Sequence, residues 1–341
     1  MSKKILFVGP ISPPITGPGV KNAEMLNVFR KHFDVNIINT LEKWTIWWLL
    51  KNLYQIFLSR TLIVSVSKKG RYVYSILNFI SCVLVKKDSY LFAAGGSLDH
   101  EILKLPFGIK YLYLKFLKNY TRIYVESIEL VDKLGELGIL NCSYLPNGRF
   151  DRGYQYKVKD NTTLKLVFLS KVREGKGILL LLQAMKLCRE QGVKVELDIY
   201  GVIDNDVSFI RQFNNELKSS SEFVFYKGIC DFDAVQRTLS DYDAFVFPSL
   251  LPEGMPGVIV EAMTVGIPTI STEFRCLNEM LEDGKSCLVF DKDVISLVNS
   301  IIKISDNNTR FALSNESRKR ATDFDLELIL KELVDTIYMG R

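Results

Sequence analysis

The stretch DAFVFPSLLPEGMPGVIVEAMTVGIPTI (residues 243–270) places a strand, a loop, a helix and a second strand in one line. Its apolar run 243–249 ends at Pro248-Ser249, and a loop follows with Glu253, Gly254, Met255, Pro256 and Gly257. Proline belongs in the first turn of a helix and not in its middle, so Pro256 and Gly257 set a helix start near Val258. Glu253 then sits in the loop and Glu261 on the helix, both facing the carboxyl end of the strands. The plain alternatives are a solvated loop charge for Glu253 and an exposed helix position for Glu261. Val258, Ile259, Val260, Ala262 and Met263 leave that helix little polar face, and a buried carboxylate needs a hydrogen-bonding partner.

Outward from this unit the same pattern repeats. KILFVG (4–9), DVNIINT (34–40), TLIVSVS (61–67), SYLFAA (89–94) and RIYVES (122–127) read as strands of a first half, with helical periodicity over 20–32 and 71–86. LKLVFLS (164–170), VELDIYG (195–201), EFVFYKG (222–228), DAFVFPS, PTIST (268–272) and SCLVF (286–290) read as strands of a second. Strands alternating with helices specify an α/β fold with parallel sheets, and such sheets bind ligands beyond the carboxyl ends of their strands. The polar stretch GRFDRGYQYKVKDNTT (148–163) marks the boundary. The expected architecture is two Rossmann-like domains, 1–158 and 159–320, facing each other across a cleft. An amphipathic helix at about 321–341 is expected to pack back onto the first domain.

The charge is divided unevenly. Residues 1–160 carry 23 Lys and Arg against 12 Asp and Glu, and the remaining residues carry 21 against 27, so +11 is joined to −6. A basic half suggests an anionic partner. Six cysteines without a Cys-x-x-Cys pair and two histidines argue against a structural zinc site and suit a reducing compartment. MSKKILFVGP enters a strand pattern without the apolar core of a signal peptide, and no eighteen-residue apolar run occurs. The expectation is a cytoplasmic protein.

Two loops suit phosphate. KVREGKG (171–177) lies between a strand and a helix and offers Lys171, Arg173 and Lys176 to an anion at the helix N-terminus. It lacks the spacing of an NTPase P-loop, and a basic surface turn is the alternative. PISPPITGPGV (10–20) lacks the dinucleotide fingerprint, but Gly17 and Gly19 bare the backbone at a helix start. A tight turn needing positive φ is the alternative there.

The order Pro-Ser, Glu-Gly-x-Pro, Glu-Ala-Met and Gly-x-Pro resembles the nucleotide-sugar site of retaining GT-B glycosyltransferases, most closely glycosyltransferase family four. SKVREGKG is similar to the family's Gly-Arg-Leu-x-x-x-Lys-Gly loop, YLPNGRFD (144–151) to its Pro-Asn-Gly-Val-Asp, and TGPGV to its glycine-rich first loop. The resemblance implies that Glu261 holds the ribose, Glu253 holds hydroxyls of the donor sugar, and the amides of Gly254–Gly257 and Val258 face the diphosphate. It implies that Lys176 neutralises the leaving diphosphate, with no metal or other cofactor required. The family's arginine falls at Lys171, which lacks the bidentate fork, so Arg173 competes with it for the second cation position. His100, in LFAAGGSLDHE (91–101), is the candidate for the family's first-domain histidine, with Asp99 and the amides of Gly95 and Gly96 as alternatives; His32 reads as structural.

The acceptor implied is a saccharide or a lipid-linked molecule of bacterial surface polysaccharide or glycolipid synthesis, received by the first domain. EKWTIWWLLKNLYQIFLSR (42–60) holds all three tryptophans and is too short to span a bilayer. It suits a helix lying on anionic lipid, with a core helix as the alternative. Lys68-Lys69-Gly70-Arg71 and Lys86-Lys87 add basic charge. A nucleotide-sugar epimerase of the same fold and a non-catalytic, membrane-associated partner of an assembly complex are the competing readings. No nucleic-acid-binding module is evident.

Overall fold

Each of the two runs of strands and helices closes into its own six-stranded sheet, and every neighbouring pair of strands is parallel. The structure, a computed structural model, describes residues 3–12, 17–42, 45–93, 95–160 and 162–339. Residues 13–16 of the proline-glycine loop, Lys43, Trp44, Ala94, Asn161 and the last two residues lie outside the described residues. The chain divides into two units, one holding residues up to Phe150 together with Leu326 onward, the other Asp151–Asp325.

The first unit runs β1 (Lys4–Gly9), α1 (Gly17–His32), β2 (Asp34–Asn39), α2 (Ile46–Leu58), β3 (Thr61–Ser65) and α3 (Lys68–Leu84). It continues with β4 (Asp88–Ala93), α4 (Leu98–Leu103), α5 (Phe107–Lys118), β5 (Arg122–Val125), α6 (Ile128–Glu136) and β6 (Cys142–Tyr144). The strand order is β2-β1-β3-β4-β5-β6. Because parallel crossovers are right-handed, the reversal at β1 sends α1 to one face and α2, α3, α5 and α6 to the other. Alternate residues of β1 serve the two cores accordingly. Ile5 and Phe7 join Met25, Leu26 and Phe29 of α1, whereas Leu6 and Val8 join Ile56 of α2, Tyr74 of α3, Leu117 of α5 and Leu130 of α6.

The second unit runs β7 (Leu164–Leu169), α7 (Ile178–Glu190), β8 (Val195–Tyr200), α8 (Val207–Ser219), β9 (Val224–Gly228), α9 (Val235–Ser240) and β10 (Ala244–Phe247). Then follow α10 (Gly257–Val265), β11 (Thr269–Thr272), α11 (Leu277–Met280), β12 (Leu288–Phe290), α12 (Val294–Ile304) and α13 (Asn307–Ala321). The order β12-β11-β10-β7-β8-β9 reverses between β7 and β10. That reversal is a topological switch point, where the loops leaving neighbouring strands diverge and open a crevice.

The terminal helix is α14 (Leu326–Met339), shorter than the expected 321–341. Residues 322–324 form a separate 3-10 turn after α13, and the helix proper starts at Leu326. Leu326, Leu330, Leu333, Val334 and Ile337 enter the core beneath α1. An ion pair joins Lys31 to Glu327, and the Tyr338 hydroxyl donates to the carbonyl of His32 at 2.6 Å. The polar stretch after Phe150 is tied down onto the second unit: the Tyr156 amide donates to Val265 O at 2.9 Å and Lys159 Nζ to Asp241 O at 2.7 Å. Polarity alone reads as a linker; these backbone partners make it part of the unit.

Leu330 is fully buried, so Leu330→Ala leaves a cavity worth about 2–5 kcal/mol. Denaturant unfolding should show that loss, with faster hydrogen exchange in β1 and α1. A loss below about 1 kcal/mol would mean that α14 only covers the surface.

Candidate active site

The loops after β7 and β10, the two that sequence motifs single out, flank the switch point of the second sheet. They are locked together by backbone. The Leu250 amide donates to Gly175 O at 3.0 Å. Gly177 adopts φ 72°, and a Cβ there would stand 1.8 Å from the carbonyl oxygen of Pro248. Only glycine allows both this left-handed conformation and this approach. On the other side the Thr272 hydroxyl of β11 donates to Ser249 O at 2.7 Å.

This clamp brings Lys176 and Glu253 together. They form an ion pair, each side chain 15% exposed, and the Ser249 hydroxyl donates to the same carboxylate oxygen, Glu253 Oε1. Lys176 Nζ lies 5.5 Å from the centre of the Phe247 ring, a cation–π arrangement. A lysine and a glutamate this far withdrawn from water compensate each other, and removing either leaves the other buried without its partner.

The other two cations part company. Lys171 is half-exposed and pairs with Asp204 at 2.8 Å, in the loop after β8. The hydrogen bond from Lys171 holds the Asp204 carboxyl below the usual range, with the Asn205 amide adding to it. Arg173 is half-buried, and its Nε atom is buried without a hydrogen-bond partner. Of the two candidates for a second cation, Arg173 therefore has an unused donor and Lys171 is already engaged.

Helix α10 begins at Gly257, one residue before the expected start, with Pro256 as its N-cap and no side chain capping it. Gly254, Pro256, Gly257 and Val258 are half-buried at this end, and Met255 is buried. Glu261 is 5% exposed, which rules out the exposed helix position. It lies near the loop after β9: burial pushes the Cys230 thiol up, with the charges of Asp231 and Glu261 adding to the effect.

In the first unit the carboxyl edge carries a set of buried ions. Lys21 of α1 pairs with Glu126 at 2.5 Å, and Glu126 also accepts from the Gly95 amide at 3.1 Å. Arg149 pairs with Glu24 of α1 at 3.5 Å and donates to Asn147 Oδ1 at 2.8 Å, so the 144–151 motif caps this unit. Asn22 bridges the switch point between β1 and β3, donating to Pro10 O at 2.8 Å and accepting from the Ser65 hydroxyl at 2.6 Å. Gly17 and Gly19 lie in the first turn of α1 with helical backbone, which overturns the positive-φ turn. Asp99 is buried, and His100 on α4 is exposed without a side-chain partner among the described residues.

Sequence reasoning missed Ser249 as a hydrogen-bond donor, Phe247 as the ring beneath Lys176, and the pairs Lys21–Glu126 and Glu24–Arg149. Two ions and an amide inside one turn of a helix, Lys21, Glu24 and Asn22, are a readable sign that α1 does not present an ordinary face to the core.

Gly177→Ala and Gly192→Ala separate backbone strain from the clamp. Gly192 has φ 80° with open space around its Cβ position, so alanine there costs about 1–2 kcal/mol. Gly177→Ala must also push Pro248 away and should cost at least about 2 kcal/mol more in denaturant unfolding. Equal losses would show that the two loops part freely.

Residues 163–307 match the family model of glycosyl transferases group 1. Curated relatives include the provisionally named colanic acid biosynthesis glycosyltransferase WcaL of Salmonella typhimurium, 27% identical over 51% of this chain and 45% of that one. The capsular polysaccharide biosynthesis glycosyltransferase CapM of Staphylococcus aureus is 24% identical over 55% of this chain and 49% of that one. These matches span about half the length of each relative. Among solved structures, Anabaena HepE in complex with UDP-glucose superposes with TM-score 0.79 at 14% identity, covering 99% of this chain and 100% of that one. Sucrose-phosphate synthase of Thermosynechococcus elongatus gives 0.77 at 14% identity, covering 99% of this chain and 98% of that one. The chain thus has the GT-B fold, and its residues 163–307 are similar to the glycosyl transferases group 1 family.

Proposed function

We propose that the protein is a retaining, metal-independent glycosyltransferase that moves a sugar from a nucleoside-diphosphate sugar to a saccharide or lipid-linked acceptor of a surface polysaccharide. The observation that carries this reading is the paired Lys176 and Glu253 at the switch point of the second sheet, with Glu261 buried on the helix that starts beside them. HepE, bound to UDP-glucose, favours a uridine nucleotide. WcaL and CapM, named for colanic acid and capsular polysaccharide, favour that class of product.

In this reading Glu261 accepts from the ribose hydroxyls and Glu253 from hydroxyls of the sugar. The amides of Gly254, Met255, Gly257 and Val258, at the positive end of α10, face the diphosphate. Breaking the anomeric C–O bond leaves negative charge on the diphosphate and positive charge on the sugar. Lys176, exchanging Glu253 for the phosphate, and Arg173 stabilise the first. The acceptor oxygen bonds to the anomeric carbon on the face the diphosphate leaves, and its proton passes to the departing phosphate oxygen. This sequence needs no protein nucleophile. His100, Asp99 and the amides of Gly95 and Gly96 remain candidates for contacts with sugar or acceptor.

A thermal-shift panel of UDP, GDP, ADP and their sugars in the presence of a chelator tests the base and the metal together. UDP is expected to raise the unfolding temperature, and Glu261→Ala to remove that shift. Lys176→Ala should slow transfer by roughly 10²–10³-fold. Unchanged turnover in both variants would refute the assignment, and release of free nucleoside diphosphate without acceptor would favour a different reaction.

A further inference from the structure

We propose that α2, α3 and α5 together form a face of the first unit that docks on an anionic lipid bilayer. The three helices lie on the same side of the first sheet and share its core, with α3 packed against both α2 and α5. None of them contains an aspartate or glutamate. They carry Lys51, Lys68, Lys69, Lys110, Lys115 and Lys118, all but Lys110 exposed, besides Arg71, which is buried against Glu101.

The outward stripes of these helices are apolar where a solvated helix would be polar. On α2 the stripe is Trp47, Leu50, Tyr54 and Leu58, at intervals of three and four. On α3 it is Val73, Ile76, Ile80 and Val83, again at helical spacing. On α5 it begins with Phe107 and Tyr111 and passes into Lys115 and Lys118. Trp47 is 78% exposed and Phe107 88%, so these are large side chains held in full contact with solvent. Between α3 and α5 an open groove of about 400 Å³ is lined by Tyr72, Ile109, Leu112 and Phe116. The buried Tyr113 hydroxyl at its wall has no hydrogen-bond partner.

The charge decides the occupant. A second copy of this face would set lysine against lysine, and a protein partner recognised by lysines would need its own acidic ring. An anionic bilayer supplies negative charge over the whole area and apolar depth beneath it, which is the match an interfacial amphipathic surface makes. Among the described residues no helix is long and apolar enough to cross a membrane, so the contact is one of lying on the surface. This inference is independent of the transfer reaction, because its test reads binding alone.

The full chain should float with vesicles of phosphatidylcholine containing phosphatidylglycerol, at least about tenfold more than with phosphatidylcholine alone, and less as salt rises. Tryptophan emission should shift to the blue on addition of the anionic vesicles. Trp47→Glu combined with Phe107→Glu should lower flotation at least about tenfold while circular dichroism and the unfolding temperature stay unchanged, since both positions are exposed. Lys68→Glu with Lys69→Glu should lower it and flatten the salt dependence. Equal flotation with neutral vesicles, no flotation with either, or full binding by the double glutamate variant would overturn the proposal. So would a wild-type dimer in sedimentation that this variant converts to monomer, which would assign the face to a second copy.

Discussion

The second unit's chemistry hangs on a contact between two stretches of backbone: Gly177 beneath the carbonyl of Pro248. The strands β7 and β10 are neighbours in the sheet, but their loops lead to helices that depart in opposite directions. Left to itself such a junction opens wide. The missing Cβ at Gly177 and the hydrogen bond from Leu250 N to Gly175 O draw it together, and this closeness sets Lys176 within reach of Glu253. Side-chain packing could not do the same work, because any side chain at this point would hold the two loops apart. The ion pair, the Ser249 hydroxyl and the Phe247 ring are consequences of that approach.

The ions at the sheet edges follow a common rule. Burying a charge is costly unless it is paired, and breaking such a pair costs about 3–5 kcal/mol. In the first unit the cost is fully met within the protein: Lys21 has Glu126, Arg149 has Glu24, and their side chains are 4–7% exposed. In the second, Lys176 and Glu253 are 15% exposed and open to exchange partners. In the proposed reaction, a phosphate at Lys176 and hydroxyls at Glu253 would replace one compensated arrangement by another, with no bare charge between. A closed set of ions is suited to holding a backbone loop, as Glu126 holds the Gly95 amide. A half-open pair is suited to a ligand.

Most of the fold is legible in the sequence because periodicity survives folding. Strands such as KILFVG and LKLVFLS are buried on both faces, so they read as continuous apolar runs. The three-residue strand β6 is not legible, since CSY has no pattern to distinguish it from a loop. The site splits the same way. Glu261 stands out because a carboxylate amid Val, Ile, Ala and Met needs an explanation, and the structure buries it. The engagement of Lys171 is not legible, because it depends on Asp204, more than thirty residues further along and brought close by the pairing of β7 with β8. Sequence spacing carries information along one element, and ion pairing between loops is decided by the sheet.

The basic charge of the first half illustrates how topology turns a diffuse composition into a surface. From β3 through β5 the chain steps across the sheet in a constant direction, after the reversal that places β1 between β2 and β3. Right-handed crossovers therefore put successive helices on one face, so α2, α3 and α5, which follow one another in sequence, become neighbours in space. Their lack of acids, unremarkable in any one helix, becomes a continuous property of that side. Of the acidic residues of this half, Glu24 lies in α1, Glu101 and Glu126 are in buried pairs, Glu42 accepts from Trp48 at the start of α2, and Glu129, Asp132 and Glu136 lie on α6, on the same face but at the sheet edge. An imbalance of +11 spread evenly would only keep a protein soluble. Segregated onto a face whose outward stripes are tryptophan, phenylalanine and isoleucine, the same charge gives that face a direction in which to bind.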